Sequence, residues 1–398
     1  MGDSLGPLDG VRVLELGQVV AGPFCGQVLA DLGADVVKVE PPGTGDVLRQ
    51  WGWSPDGGDS LWWRVAARGK RSITVDLRTA DGQALVRRLA RDVDVVVENF
   101  RPGTLERWGL GYEQLTADNA GLVLVRISGF GQDGPYSRRA GYAAVGEAMG
   151  GLRALTGYPD RPPVRVGISL GDSLTGLMGA LGALAALHER QRTGQGQVVD
   201  AAIYESVLAL TEGLVPEWAA GAPVRGRTGT SLAGIAPSNI YPTADGSVLV
   251  AANQDTVFLR LARAMGRAEL AQDPRFADHR ARGAHAEALD ELVSGWTVGQ
   301  RAQDVLAALH EVGVPCGLLY TPADMADDPH FQARQSLVEV TDPDAGPVLM
   351  PAVAPRLSRT PGSVRWTGPR LGEHTEQVLA EAGLSPDDVA GLRAAGVV

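Results

Sequence analysis

Short valine-rich runs that alternate with helical stretches constrain the fold of this 398-residue chain more than any other feature. Such runs are typical of strands, and strands separated by helices indicate a parallel sheet that is covered on both faces. The predicted strands lie at 11–16, 35–40, 72–77, 93–98 and 122–128, and a further extended segment lies at 197–202. The predicted helices of this region lie at about 24–31, 80–91 and 174–190. The sequence therefore predicts an α/β fold.

The composition of the chain changes after about residue 215. Gly, Pro, Arg, Thr and Ser dominate residues 215–239, and this composition predicts a long linker. A strand is predicted beyond the linker at 246–252, and helices are predicted at 255–265, 284–294 and 298–312. These elements indicate a smaller, separate domain. The tail from residue 372 is predicted to be helical.

The charge and the cysteine count argue against several classes of protein. The net charge of −11 argues against general nucleic-acid binding, which requires a basic surface. Cys25 and Cys316 are too few for a disulfide framework or a zinc site, and both are expected to be buried thiols in a reducing compartment. The N-terminus shows no signal peptide, and the apolar run at 174–187 is too short to cross a bilayer. We therefore expect a cytoplasmic protein that binds no metal and no membrane.

Asp172 is the residue whose position most strongly suggests chemistry. It follows Gly171 and directly precedes the apolar run at 174–187, which is predicted to be a helix. The N-terminus of a helix offers unpaired N–H groups and a partial positive charge, so a carboxylate there stays ionised. Asp is also a preferred N-cap residue, so a purely structural capping role is the alternative to a nucleophilic one.

Three loops carry basic and polar side chains. They lie at 68–72, 98–103 and 137–139, and Arg107 follows the second loop. Lys and Arg side chains suit phosphate groups, and open α/β sheets bind their ligands at the carboxyl ends of the strands. The alternative is solvated surface charge, which is common for such residues.

Ordered motifs along nearly the whole chain resemble those of the class III CoA-transferases, the family that includes formyl-CoA transferase and relatives of the carnitine CoA-transferase. The matching segments lie at 14–23, 31–40, 70–73, 97–103, 128–136, 171–172, 192–200, 313–317 and 372–375. Because these motifs occur in order over the whole length, the resemblance is specific.

The resemblance implies a Rossmann-like large domain formed by both chain ends, a small α+β domain between them, and an interlocked homodimer. The large domain is expected at 1–214 and 346–398 and the small domain at 241–325, with linkers at 215–240 and 326–345. It also implies that an acyl-CoA and a small carboxylic acid are the substrates, and that no cofactor is permanently bound.

The catalytic aspartate of the family corresponds to Asp172. The resemblance implies that this carboxylate attacks the acyl-CoA thioester to give a mixed anhydride, and that CoA then returns to give an aspartyl-CoA thioester. The acceptor acid attacks that thioester, and acyl-CoA is rebuilt on the new acid. Gln18 is expected to take part in catalysis, and Val19 and Val20 are expected to line the thioester site.

The resemblance also implies contacts to the coenzyme. Lys70, Asn99, Phe100 and Arg107 match the basic or polar positions that contact the nucleotide and pantetheine of CoA. Arg138, from the third basic loop, is expected to be a further CoA contact.

The chain departs from the family at one position of the site. Members often carry an acid two positions after the residue that is Gly141 here, whereas this chain has Ala143, and Glu147 is the candidate replacement on the following helical turn. The α-methylacyl-CoA racemases share the fold but carry Gly-His-Asp where this chain has Gly141, Tyr142 and Ala143. Because a phenol is a poor base near neutral pH, racemase chemistry is the second hypothesis. An inactive CoA-binding homologue is the third.

The acceptor acid is indicated by two segments, at 141–151 and 162–167. They look more like the branch of the family that acts on succinyl-CoA and dicarboxylates. Arg165 and Arg227 are candidate partners for a distal carboxylate, since a guanidinium can bind a carboxylate through two hydrogen bonds.

Overall fold

The computed structural model describes residues 6–55 and 57–398 of the chain. These residues form two compact units. The large unit contains residues up to 152, 166–212 and 330–398, and the small unit contains 153–165 and 213–329. The domain and linker boundaries expected from the family resemblance stay predictions.

A six-stranded parallel sheet is the centre of the large unit. Its strands are β1 (Arg12–Glu15), β2 (Asp35–Glu40), β3 (Lys70–Thr74), β4 (Val95–Glu98), β5 (Val123–Ser128) and β6 (Val198–Ala202). They are ordered β3-β2-β1-β4-β5-β6, and every neighbouring pair is parallel. The prediction of an α/β fold with a parallel sheet is therefore confirmed. Because the order reverses between β1 and β4, the carboxyl ends of these two strands flank the crevice in which such sheets bind ligands.

Helices connect the strands and form most of the small unit. In chain order they are α1 (Ala21–Asp31), α2 (Leu61–Ala66), α3 (Ala80–Leu89), α4 (Thr104–Arg107), α5 (Tyr112–Thr116), α6 (Ala143–Met149), α7 (Leu152–Leu155), α8 (Leu170–Thr193), α9 (Ile203–Leu208), α10 (Leu214–Ala219), α11 (Asp255–Ala264), α12 (His279–Ala284), α13 (Ala286–Thr297), α14 (Ala302–Glu311), α15 (Pro322–Asp327), α16 (Pro329–Ala333), α17 (Thr375–Glu381) and α18 (Pro386–Ala394). Short 3-10 turns occur at Val47–Gln50, Ala90–Asp92 and Ala268–Gln272.

Side chains that alternate along the strands form two cores, one on each face of the large sheet. Val13, Val36 and Val95 are buried in the core that includes residues of α1 and α8. Leu14 and Val37, their neighbours in sequence, are buried in the core that includes residues of α3, α17 and α18. Because each such side chain contributes about 1.5–3 kcal/mol when it is buried, both faces of the sheet must be covered for the strands to be stable.

Helix α8 is longer than its apolar run predicted. It has 24 residues, and by length and hydropathy alone it could cross a membrane, so the argument that this segment is too short was wrong. The helix packs against α1 and β5, and 44% of its most apolar window is buried. Cys25 of α1 is fully buried beneath it, and burial raises the pKa of this thiol far above its ordinary value. Cys316, in contrast, is only half-buried.

The small unit contains an antiparallel sheet of β7 (Ser238–Thr243), β8 (Gly246–Ala251) and β9 (Cys316–Gly317). Apolar side chains of α11, α13 and α14 pack on it and form a separate core. This core contains the fully buried Arg282, which donates hydrogen bonds to Asp255 and to backbone carbonyl groups.

The two segments predicted as linkers contain regular structure. Residues 215–240 include most of α10 and the start of β7, and residues 326–345 include α16 and β10 (Leu337–Asp342). Strand β10 forms an antiparallel hairpin with β11 (Gly346–Pro351) in the large unit. The Gly and Pro residues mark the turns around these short elements, and the elements are too short to dominate the local composition.

The motif at 372–375 covers the edge strand β3. The N–H of His374 donates to the carbonyl of Ser72 at 2.9 Å, and the N–H of Ser72 donates to His374 Nδ1 at 3.3 Å. Two positions further along the strand, the N–H of Thr74 donates to Thr375 Oγ1 at 3.1 Å. These bonds satisfy backbone groups that would otherwise be open to pairing with another chain.

Close packing of α8 on α1 predicts the effect of a single methyl group. A Cβ atom at Gly176 would lie 2.6 Å from the carbonyl oxygen of Ala21 and 3.1 Å from the amide nitrogen of Cys25. We expect Gly176→Ala to lower the free energy of unfolding by about 1–3 kcal/mol, because the helices must separate.

The matched control is Gly391→Ala in α18, where a Cβ atom meets nothing within 4 Å. It is expected to raise the free energy of unfolding by about 1 kcal/mol through helix propensity alone. Denaturant unfolding of both variants checks the pair, and equal effects of the same sign would contradict the packing argument.

Candidate active site

A cavity of about 220 Å³ lies in the large unit at the carboxyl ends of the strands. Its lining comes from residues 18–21 after β1, 99–102 after β4, 127–129 at the end of β5, the loop residues Ser137, Arg139, Gly141 and Tyr142, and Asp172 and Ile203. The structure therefore brings Asp172 together with five of the other predicted site residues, which are Gln18, Val19, Val20, Asn99 and Phe100. We call this cavity the transfer cavity.

Two side chains hold the loop that follows β1. Asn99, which follows β4, accepts the N–H of Gln18 at 2.8 Å and donates to the carbonyl of Gln18 at 2.7 Å. Asp46 accepts the N–H of Val19 at 3.1 Å with each of its carboxylate oxygens. Val19 has a φ of +69°, a left-handed conformation that is rare for a β-branched residue and is typical of functional sites.

The turn at Val19 lets α1 begin close to the end of β1. The N-cap of α1 is Val20, which supplies no side-chain cap, and Ala21 at the first helical position lines the transfer cavity. The N-terminus of a helix carries N–H donors and a partial positive charge. This end of α1 can therefore stabilise an oxyanion or a carboxylate in the cavity.

Asp172 lies in the first turn of α8, which begins at Leu170. The N-cap of this helix is Ser169, so the interpretation of Asp172 as the N-cap is wrong. The Asp172 residue is half-buried and lines the transfer cavity. A carboxylate at this end of a 24-residue helix is favoured in its ionised form, which is the form that acts as a nucleophile.

Glu147 does not take the place of the missing acid at Ala143. Its side chain is fully buried outside the transfer-cavity lining, and its Oε1 accepts the N–H of Gly171 at 3.1 Å. A Cβ atom on Gly171 would lie 3.0 Å from Glu147 Cγ, so glycine is what allows this close approach. Glu147 therefore positions the first turn of α8 from outside the cavity lining, which corrects its expected catalytic role.

Lys70 is not available to a nucleotide in this structure. Its side chain is fully buried, and its ammonium group lies 2.8 Å from Glu15 Oε2 and donates to the carbonyl of Pro23 at 2.7 Å. Burial lowers the pKa of Lys70, and the Glu15 carboxylate only partly opposes this shift. The expected contact of Lys70 with CoA is therefore replaced by a structural ion pair.

The third basic loop contributes a different arginine from the one expected. Arg138 is exposed and is not part of the cavity lining, whereas Arg139 is. The guanidinium carbon of Arg139 lies 3.6 Å from the centroid of the Tyr136 ring, a contact that stabilises the cation over the aromatic ring. The sequence does not show which of the two adjacent arginines lines the cavity, because the directions of their side chains depend on the backbone conformation of the loop.

A second cavity of about 430 Å³ adjoins the transfer cavity, since Gln18 and Phe100 line both. Pro41, Pro42, Leu77, Arg78 and Trp108 also line it. Phe100 and Trp108 meet edge to face at 5.1 Å. Sequence reasoning predicted Gln18 and Phe100 but missed the other five of these residues, although Pro41 and Arg78 follow β2 and β3 at the edge of the sheet where ligands bind.

Arg107, in contrast, lies at the end of α4. It is exposed and donates to Thr104 Oγ1 at 3.0 Å, so it lines neither of the two cavities. Its expected contact with CoA stays a prediction.

Glu98 supports the loop between the two cavities. Its carboxylate accepts the N–H of Phe100 at 2.7 Å and a hydrogen bond from Arg126 Nε at 2.7 Å. Burial raises the pKa of Glu98 to about 7, and the Arg126 guanidinium opposes the shift. Residues 99–102 are therefore fixed at their N-terminal end by a buried acid.

The hydrogen bonds of Asn99 are expected to matter for activity. We expect Asn99→Ala to lower kcat/KM for CoA transfer by at least about 10-fold, because the N–H and the carbonyl of Gln18 both lose their partner at the cavity. Steady-state kinetics with a CoA thioester and a carboxylic acid measures this effect.

Asn119→Ala is the matched control. Asn119 donates two hydrogen bonds to the carbonyl groups of Ala90 and Val93, away from both cavities. Both variants should lose stability by about 1–2 kcal/mol, but only Asn99→Ala should lose activity. Equal losses of activity would contradict a role for Asn99 at the site.

The chain matches CoA-transferase family III over residues 8–375 and belongs to this family. The protein is therefore a CoA-transferase, and the resemblance inferred from its motifs is confirmed.

Individual relatives match over nearly the whole chain. The succinyl-CoA–D-citramalate CoA-transferase of Chloroflexus aurantiacus is 59% identical over 394 residues, which cover 98% of each chain. The succinate–glutarate CoA-transferase of Agrobacterium fabrum is 39% identical over 382 residues, which cover 94% of this chain and 95% of the relative. The crystal structure of a CAIB/BAIF family protein from Brucella suis has a TM-score of 0.84 at 39% identity and covers 95% of this chain and 99% of that one.

Proposed function

We propose that this protein transfers CoA from succinyl-CoA to a dicarboxylic acid, with D-citramalate as the first candidate acceptor. The observation that carries the proposal is the placement of Asp172 at the end of a long helix, in a cavity formed by the loops after β1 and β4. The choice of substrates is supported by the 59% identical relative, whose name specifies succinyl-CoA and D-citramalate.

The first half of the proposed reaction moves CoA from the donor to the enzyme and releases succinate. The Asp172 carboxylate attacks the thioester carbonyl carbon, the C–S bond breaks, and CoA leaves as a thiolate. This step leaves a mixed anhydride between Asp172 and succinate. The thiolate then attacks the Asp172 carbonyl carbon, succinate leaves as a carboxylate, and an aspartyl-CoA thioester remains.

The second half repeats these steps in reverse with the acceptor. The acceptor carboxylate attacks the aspartyl-CoA carbonyl, and CoA leaves again as a thiolate. The thiolate attacks the carbonyl of the acceptor in the new mixed anhydride, which releases the acceptor as its CoA thioester and frees Asp172. Each tetrahedral intermediate carries an oxyanion, and the N-terminus of α1 beside Val20 and Ala21 is the proposed source of stabilisation.

The second cavity is proposed to hold the nucleotide end of CoA. Phe100 and Trp108 offer aromatic surfaces to a base, and Arg78 follows β3 at the same edge of the sheet. Because Gln18 and Phe100 line both cavities, one extended ligand can occupy the two together. Arg107 stays a proposed phosphate contact.

The homodimer and the cytoplasmic location are also proposals. Helix α8 exposes Leu177 and Leu181, which are 49% and 60% exposed in the single chain. Large apolar side chains that are exposed on a core helix are typical of a surface that is covered in an assembly. A second copy of the chain is the proposed cover, as the family resemblance implies.

The racemase hypothesis finds no support at the position where it needs a base. Tyr142 carries a phenol and Ala143 a methyl group, so neither residue supplies an imidazole or a carboxylate to the cavity. The retained Asp172 argues in the same way against an inactive homologue.

The nucleophile can be tested by chemical trapping. After incubation with succinyl-CoA, hydroxylamine should convert activated Asp172 to a hydroxamate, which peptide mass spectrometry locates. We expect Asp172→Ala to lose this product and to lower kcat by about 10³-fold or more. Asp118→Ala, at an acid that pairs with Arg87 and lines neither cavity, is the matched control and should keep both. Exchange of α-deuterium without a hydroxamate would instead support the racemase.

The distal carboxylate of the acceptor is assigned to Arg139. Arg227, one of the two arginines expected for this role, donates to the carbonyl groups of Tyr158, Pro159 and Arg161 within the small unit. Arg139 instead lines the transfer cavity beside Tyr142.

We therefore expect kcat/KM for D-citramalate, L-malate and glutarate to exceed that for propionate and butyrate by about 10- to 100-fold, the value of a charge-assisted hydrogen bond. Arg139→Ala should remove most of this preference, as measured by mass spectrometry of the acyl-CoA products. Arg138→Ala is the control and should keep the preference, since that side chain is outside the cavity lining. An unchanged preference in Arg139→Ala would contradict the assignment.

A further inference from the structure

Six buried charged side chains lie behind the transfer cavity. They are three carboxylates and three cations, each at most 5% exposed: Glu15, Glu40, Asp46, Lys38, Arg49 and Lys70. Removing one partner from such a group is strongly destabilising, whereas apolar residues of similar volume are often as stable as the intact group. Stability alone therefore does not account for this group, which we call the charge cluster.

Two members of the charge cluster form hydrogen bonds with the backbone of the loop after β1. Lys38 donates to the carbonyl of Gly17 at 2.7 Å, and Asp46 accepts the N–H of Val19. Asn99 holds both polar groups of Gln18 between them. Four successive polar groups of this backbone are thus fixed by side chains from β2, from the loop after β2 and from the residue after β4.

Asp46 is the member that touches the strained residue. Its carboxylate lies 2.9 Å from the Lys38 ammonium, and it also accepts the N–H of Leu48 at 3.0 Å. A free Val residue avoids the left-handed region because its branched side chain clashes with the backbone there. The contacts from both Asp46 oxygens to the Val19 N–H offset the conformational cost of a φ of +69°.

We propose that Asp46, oriented by Lys38, is a positioning residue for CoA transfer: it holds the Val19 peptide in its left-handed conformation and so sets the N-terminus of α1 across the cavity from Asp172. This inference rests on the proposed function of that cavity. Asp46 touches no substrate, because it is fully buried and absent from the lining of both cavities.

The positioning extends to the C-terminal segment of the chain. Glu40 accepts the N–H of Asp46 at 2.9 Å and the hydroxyl of Ser72 at 2.6 Å, and the N–H of Gly372 donates to Ser72 Oγ at 3.0 Å. Arg49 binds Glu40 through two hydrogen bonds at 2.7 and 2.8 Å. The motifs at 31–40 and 372–375 have no part in the catalytic steps. They are linked to Asp46 through Glu40, which binds Asp46 directly, and through Ser72, which binds both Glu40 and Gly372.

A double-variant cycle tests whether Asp46 acts through the backbone of Val19. We expect Asp46→Asn to lower kcat by about 10-fold or more, while KM for succinyl-CoA changes by less than about 3-fold. Glycine adopts positive φ without strain, so in a Val19→Gly background the same Asp46→Asn substitution should lower kcat by less than about 3-fold. An equal loss in both backgrounds would overturn the proposal.

Asp59→Asn is the matched control within the same region. Asp59 pairs with Arg49 at 2.6 Å but makes no contact with Val19, so this variant should keep kcat within about 2-fold. A loss in Asp59→Asn as large as that in Asp46→Asn would mean that any disturbance of the charge cluster is sufficient, which contradicts a specific role for Asp46. Should Asp46→Asn fail to fold, the double variant with Val19→Gly is expected to restore folded protein, and its failure to do so also overturns the proposal.

Amide hydrogen exchange separates this inference from the proposed function. In the protein without substrate, the Val19 amide hydrogen should exchange about 10-fold faster or more in Asp46→Asn than in the unmodified chain, while peptides of β4 stay unchanged. This readout does not require CoA transfer. Unchanged protection of Val19 would refute the positioning role even if Asp172 is the nucleophile, and faster exchange would support it even if the assigned substrates are wrong.

Discussion

The left-handed turn at Val19 is the constraint on which the site depends. Strand β1 ends at Glu15 and α1 begins at Ala21, so the chain must reverse within a short loop at the carboxyl edge of the sheet. The turn is possible because residues after β2 and β4, Asp46 and Asn99, hold its backbone from both sides. Parallel pairing of β1 with β2 and β4 places those residues there. The loops after the strands therefore form the cavity, and Asp172 at the start of α8 lines it.

Much of the fold could be predicted from the sequence because the pattern of the parallel strands is local. Valine-rich runs gave β1, β2, β4, β5 and β6 to within about two residues, which is the usual precision for element ends. Strand β3 lies two to three residues earlier than predicted. Its segment Lys70–Thr74 is mostly polar and so carries no apolar strand pattern, and it is covered in the fold by the C-terminal motif. The hairpin of β10 and β11 was missed because its turn signals outweighed its short strands.

The site was predicted only in part, for a physical reason. The sequence indicated Asp172, Gln18 and Asn99, which line the transfer cavity, because they stand at the ends of predictable elements or in family motifs. Lys70 and Glu147 were misjudged because a charged residue in a loop or a helix carries no local sign of burial, and both are fully buried by partners distant in sequence. Asp46 was overlooked for the same reason, since its importance arises from contacts with Lys38 and Val19 that only the folded sheet creates.

The burial of Cys25 matters for an enzyme that releases a reactive sulfur. In the proposed cycle CoA departs as a free thiolate twice, first from the donor thioester and then from Asp172, and each time it must attack a carbonyl of the anhydride that has just formed. A reachable cysteine thiolate on α1 would compete with CoA by attacking an anhydride carbonyl, which releases a carboxylate and traps the acyl group as a cysteine thioester. The Cys25 side chain is sealed under α8 and kept protonated, so this helix offers the acyl group no such diversion.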